Sequence, residues 1–241
     1  MTSRSGISSL ALPQRQALIA AVGAQALYWG VAFVVGVVFV DARRAFGGSI
    51  PPHQPGSLAW GIALVCGTGT AAWFAQSRLR RLGWRAFRAP TLRDAGVYAA
   101  AVIVVAALYT LYGIILKAIG AHDVGLSFRG FSVRDPNHAT VMVSIVLTLG
   151  GGCILVPLFE ESLFRALLFG GLIHRFGTLG AALISALIFG AIHLDPLGFP
   201  LLAAFALVAT ASYALTRNLL VSMAIHGTRT PCSSHSSFYT P

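Results

Sequence analysis

The sequence predicts an all-α, polytopic integral membrane bundle of about 7–8 transmembrane helices, with the last one truncated. Three observations carry that expectation. Of the 241 residues, 56% are hydrophobic and only 10% are charged, with a mean hydropathy of +0.77. A soluble domain carries about 25% charged residues. Apolar runs long enough to cross a bilayer recur along the chain, separated by turn-rich or charged stretches. The seventeen basic residues, all arginine except Lys117, outnumber seven acids and gather outside the apolar runs. That charge pattern suits a membrane leaflet, and no nucleic-acid motif accompanies it.

After a polar start with Arg4 and Arg15, the run Ala17 to Val40 is almost wholly apolar. At about 24 residues it is long enough to span and too long for the apolar core of a signal peptide. A turn-rich loop, Asp41 to Gly56, leads to a second span over 57–76, whose Gly61, Gly67, Gly69, Ala71 and Ala72 suit close helix packing. Arg78, Arg80, Arg81, Arg85, Arg88 and Arg93 then form the strongest orientation signal, which predicts a cytoplasmic loop over 78–93 in a multi-pass cell-membrane protein. Trp84 and Phe87 among them allow that loop to lie on the membrane surface.

A third span is expected over 95–119, with Lys117 near its end, followed by a polar loop to Asn137. From Ala139 to Ile173 the chain is apolar apart from one acidic and basic cluster. About 35 residues is long for one span, and Gly150-Gly151-Gly152 and Pro157 are the expected interruptions. Further helices are expected over 178–194, stopped by Asp195-Pro196, and over 197–216. The last apolar run, Leu219 to Gly227, is too short to span. The Ser/Thr/Pro-rich tail 228–241 is unlike the rest and reads as a shifted frame or a truncated end.

Within the long apolar stretch lie the only two glutamates of the chain, Glu160 and Glu161. A charge at the centre of a membrane helix costs roughly 2.5–3.5 kcal/mol on the insertion scale, so such a pair marks a candidate site. On a helix Glu161 and Arg165 stand at i and i+4 and can pair. Glu160 points about 100° away, free to act as a base. The plainer alternative is a Glu–Arg pair that only fixes helix packing.

Phe189 and His193 stand at i and i+4 on the next hydrophobic helix, and His226 lies on the last one. Each histidine alone reads as a packing or interfacial residue. Together with a free carboxylate, the set can activate a water and stabilise an oxyanion. Glu160, His193 and His226 are also a ligand set that zinc accepts, although no H-E-x-x-H motif is present. His53, His122, His138, His174 and His235 are assigned nothing. Cys66, Cys153 and Cys232 have neither disulfide nor metal spacing.

These residues resemble a known family. Glu160-Glu161 with Arg165 resembles the E-E-x-x-x-R motif of the CPBP (CAAX protease and bacteriocin-processing, or Abi) intramembrane proteases. Phe189 to His193 resembles its F-x-x-x-H motif, and His226 the histidine of its H-x-x-x-N motif, with about 30 residues between successive motifs. The resemblance implies an intramembrane endopeptidase, hydrolase and protease, called a metalloprotease although its use of a metal is unsettled. Glu160 and His193 would activate the water, and His226 would stabilise the oxyanion. Glu161, Arg165 and Phe189 would support them. It also implies a protein or peptide substrate, prenylated in the CAAX branch of the family, next to membrane lipids as partners.

The implied organisation is an N-terminal hairpin with its basic loop over 1–90, a protease core over 91–227 and the atypical tail 228–241. The chain departs from the pattern at Thr230, where the third motif carries asparagine, and Pro231 disfavours helix there. An impaired oxyanion site is the resulting expectation. A proton-coupled transporter and a non-catalytic immunity or scaffold protein of the same fold are the rival readings.

Overall fold

The computed structural model describes residues 10–45, 58–85, 87–120 and 150–232, with positions 143, 146 and 147 between them. Side chains are described for these except in 39–45, 58–60 and 229–232. Among the described residues every regular element is helical: α1 (Gln14–Ala45), α2 (Leu58–Arg81), α3 (Leu92–Ala118), α4 (residues 151–169), α5 (Gly170–Ala191), α6 (Phe199–Thr216) and α7 (Leu219–Cys232). The predicted all-α membrane bundle is therefore the observed one. Among the described residues, four stretches are long and apolar enough to cross a membrane: Gln14–Val38, Leu92–Ala118, Gly151–Ala191 and Phe199–Thr216. That is fewer than the expected 7–8; residues 121–142, 144–145 and 148–149, which hold the expected polar loop and the start of the long apolar stretch, lie outside the described part. So do His53, His122, His138, His235 and the tail beyond residue 232.

The helices carry apolar side chains on outer as well as inner faces, as spans do. Trp29 and Phe33 on α1, and Ile103, Leu111 and Ile114 on α3, point outward. Inside, small residues of α1 and α2 (Ala20, Ala24, Ala71, Ala75) pack with Phe159, Phe164, Leu167, Phe189 and Phe205 in one core. Close approach is needed where α1 meets the head of α5. A Cβ at Gly170 would stand 2.9 Å from the Leu10 carbonyl oxygen, and one at Gly171 would stand 2.9 Å from Ala17 Cβ.

The expected break at Gly150-Gly151-Gly152 and Pro157 does not occur. The chain stays helical through all four, because α4 winds as a π-helix over Gly151–Leu155, an α-helix over Val156–Glu161 and a π-helix over Ser162–Phe169. The wider turn ahead of Pro157, in which Val156 N–H donates to Gly151 O, takes up the irregularity a proline imposes. The break falls later, at Gly177 (φ 66°, ψ 178°) inside α5, a conformation open essentially to glycine alone. After Asp195-Pro196, Asp195 caps the turn into α6 through Gly198 N–H (2.9 Å) and Phe199 N–H (2.8 Å).

The last helix also corrects the expectation. The backbone of α7 runs to Cys232 and passes through Thr230 and Pro231, so it is short but not a stub. Pro231 sits in its final turn, where a missing N–H costs a single intrahelical bond. The helix starts under control of Asn218, which is fully buried. Its Oδ1 accepts from Leu220 N–H (3.2 Å), and its Nδ2 donates to the Arg88 carbonyl (3.2 Å).

Candidate active site

The glutamates lie where the α-helical middle of α4 passes into its second π-helix. The side-chain directions follow the expected split. Arg165 Nε stands 3.0 Å from Glu161 Oε2, with both side chains fully buried. The guanidinium lies 4.9 Å from the centroid of the Phe189 ring, which is itself held edge-on by Phe164 at 5.1 Å. None of the three guanidinium nitrogens of Arg165 makes a hydrogen bond among the described residues, so Glu161 balances its charge as an ion pair and the Phe189 ring adds a cation–π contact.

His226 of α7 meets both carboxylates. Its Nδ1 is 3.0 Å from Glu161 Oε1, and its Nε2 is 3.6 Å from Glu160 Oε2. The first distance is a hydrogen bond and the second is not. A carboxylate facing Nδ1 holds the proton on that nitrogen, which turns the Nε2 lone pair toward Glu160. Glu160 Oε2 is buried and has no hydrogen-bond partner among the described residues. Two acceptors thus face each other at contact distance, close enough that a water seated beside the pair could donate to both.

His193 takes a different place. Its Nδ1 hydrogen-bonds to the Phe189 carbonyl at 2.7 Å, and its ring lies 4.8 Å from the Phe189 ring. His226 is another neighbour of that ring, at 6.2 Å. The two histidines therefore share Phe189, but no hydrogen bond or ion pair among the described residues joins His193 to Glu160. Nor do Glu160, His193 and His226 gather as ligands: among the described residues no group of three His, Cys, Asp or Glu side chains could hold a metal ion. The Nδ1 contact of His226 with Glu161 would leave Nε2 open to a metal, but without convergence of the three side chains the set does not fit a zinc site.

Sequence reasoning missed several neighbours. Ser222, one turn before His226 and fully buried, approaches Glu161 from α7. Its i−4 spacing from His226 is the signal that was available. Gln76 of α2 donates to Ser162 Oγ at 2.7 Å and so ties α2 to the residue after the glutamates. Tyr28 of α1 stacks on Phe159 at 5.4 Å and lies within electrostatic reach of Glu160. No local pattern announces these contacts between distant helices. The side chain of Thr230 lies outside the described residues, and the expected impairment there gains no support from the seating of His226.

Residues 142–229 match the family model described as Rce1-like, type II CAAX prenyl endopeptidase Rce1-like. Neither the curated proteins nor the solved structures compared with the chain gave a match. The matched span contains the glutamate pair, Arg165, Phe189 and both histidines. This match, over residues 142–229 only, is consistent with the CAAX protease (CPBP) family that the motifs resemble.

Proposed function

We propose that the protein is an intramembrane endopeptidase in which Glu160 and His226 together hold and activate the hydrolytic water. The observation that carries this reading is the approach of Glu160 Oε2 to His226 Nε2 at 3.6 Å, with the carboxylate oxygen buried and without a hydrogen-bond partner among the described residues, so that a water beside the pair would meet both. A water there loses a proton to Glu160, and its oxygen attacks the substrate carbonyl carbon. The carboxylic acid then returns that proton to the departing amine nitrogen, and the peptide C–N bond breaks. Glu161 orients His226 and Arg165 balances the charge of Glu161, so neither needs to change protonation during the cycle.

His193 enters this scheme beside Phe189. With Nδ1 donating to the Phe189 carbonyl, its Nε2 is the free nitrogen, available to the incoming substrate. The protease core extends over residues 91–227, and the loop 78–93 faces the cytoplasm. The family match supports a peptide substrate, and its description makes a prenylated C-terminus the first substrate to try. The test compares a farnesylated peptide with its unmodified counterpart in detergent, reading the released C-terminal tripeptide by mass spectrometry. Release from the farnesylated peptide alone supports the CAAX branch. Equal cleavage of both keeps the protease reading and removes the lipid requirement. Cleavage of neither, with general membrane substrates also intact, counts against the reading as a whole.

A further inference from the structure

Most arginines with described side chains lie toward one end of the bundle. Trp84, in the turn after α2, packs on a cluster formed by Leu10, Phe169, Ile173, Tyr213 and Leu219. That cluster brings the start of α1, the head of α5, the end of α6 and the start of α7 to the same end as the basic turn. Each of these segments carries arginine beside it: Arg15, Arg80, Arg85, Arg93, Arg175 and Arg217 are all exposed. The acid placed there is Asp94, which is buried, caps α3 and is paired with Arg88 at 2.8 Å. The other acids with described side chains lie elsewhere, Glu160 and Glu161 in the core and Asp195 beyond the far end of α5, on the chain segment where Tyr112 of α3 donates to Leu197 O.

The basic turn is held in place rather than left to move. Trp84 anchors it on Tyr213, with ring centroids 6.4 Å apart. Arg88 Nη2 donates to Asp94 Oδ1 and to Thr216 O, both at 2.8 Å, while its carbonyl receives Asn218 Nδ2. Between and beside these two anchors, Arg80, Arg81 and Arg85 point outward. Phe87 and Leu92 are exposed to 40% and 90%, at the level where α3 enters the apolar zone.

We propose that this end of the bundle is a binding surface for anionic phospholipid headgroups. The partner follows from the chemistry. Guanidinium groups match phosphate oxygens in a two-pronged geometry, the surface presents no exposed acid among the described residues, and the adjoining apolar side chains enter the acyl region that a headgroup borders. The inference does not depend on the protease reading.

The experiment uses the whole protein in detergent micelles and follows its melting temperature as phosphatidylglycerol or phosphatidylcholine is added. Phosphatidylglycerol raises the melting temperature with a saturable midpoint that moves to higher lipid in high salt, and phosphatidylcholine does not. In the variant R80Q/R81Q/R85Q, which leaves Trp84 and Arg88 in place, the midpoint shifts by about fivefold per arginine removed. If that triple variant melts poorly without lipid, the single variants R80Q and R85Q carry the comparison. Equal effects of the two lipids, or an unchanged midpoint in the variants, overturn the proposal. Arginine-dependent binding of an RNA oligonucleotide without any phosphatidylglycerol effect also overturns it and reassigns the surface.

Discussion

His226 Nδ1 lies 3.0 Å from Glu161 Oε1, although 65 positions separate the two residues. The contact joins the short last helix to the glutamate helix at the point where Arg165 also grips Glu161. It divides the labour of the adjacent glutamates. Glu161 is spent on an arginine and a histidine, and Glu160 keeps an oxygen without a partner.

Replacing Glu161 by Gln is expected to destabilise the fold as well as activity. It removes the charge that balances a fully buried guanidinium, and breaking a buried pair typically costs about 3–5 kcal/mol. Thermal unfolding in detergent should show a marked fall for E161Q. The double variant E161Q/R165M should recover part of that loss, since it leaves no uncompensated charge. A double variant as unstable as E161Q alone would contradict this account of the pair.

Phe189 is expected to be sensitive even to an apolar replacement. F189L keeps the hydrophobic volume roughly in place but removes the ring face under Arg165 and the surface shared by the two histidines. The cation–π part alone is worth about 2 kcal/mol when desolvated. Reduced melting temperature together with reduced turnover is the expected pair of results, and unchanged behaviour in both would show the ring to be ordinary filling.

The two histidines should separate in their effects. H226A removes a group that faces Glu160 directly, and positioned acid–base groups contribute about 10²–10⁴ in rate. H193A should cost less under conditions of saturating substrate and should raise KM more than H226A does. Single-turnover and steady-state kinetics on both variants check this. Equal losses in kcat with unchanged KM would place His193 beside the water as well.

How much of this was legible in the sequence depends on the distance over which each relation acts. Glu161 with Arg165 and Phe189 with His193 are one helical turn apart, so spacing alone foretold their shared faces. The same holds for the membrane bundle, which follows from composition and run length. The meeting of His226 with Glu161, the Gln76–Ser162 bond and the Asn218–Arg88 clasp each join residues dozens of positions apart, and no periodicity encodes them. The helix break was misplaced for a physical reason. Gly151, Gly152 and Pro157 are helix breakers in water, but π-turns absorb them here, whereas the actual break within α5 falls at the positive φ of Gly177.

Close packing at the head of α5 gives a test that is independent of chemistry. G171V is expected to destabilise by about 1–3 kcal/mol, because its side chain meets Ala17 with no room to move. G113V on α3, where nothing lies within 4 Å, should be nearly neutral. Similar melting temperatures for the two variants would mean that α1 does not seat on α5 as described.

The measurement that bears most directly on the central claim is peptide cleavage by the intact protein and by E160Q, with melting temperatures recorded on the same preparations. The account predicts that E160Q folds as well as the parent, because the buried Oε2 has no hydrogen bond among the described residues to lose, and that it cleaves at least about 10²-fold more slowly. An E160Q variant that retains most of the parent's cleavage would contradict the assignment of Glu160 as the base. One that loses cleavage only by unfolding would show that Glu160 serves the fold rather than the water.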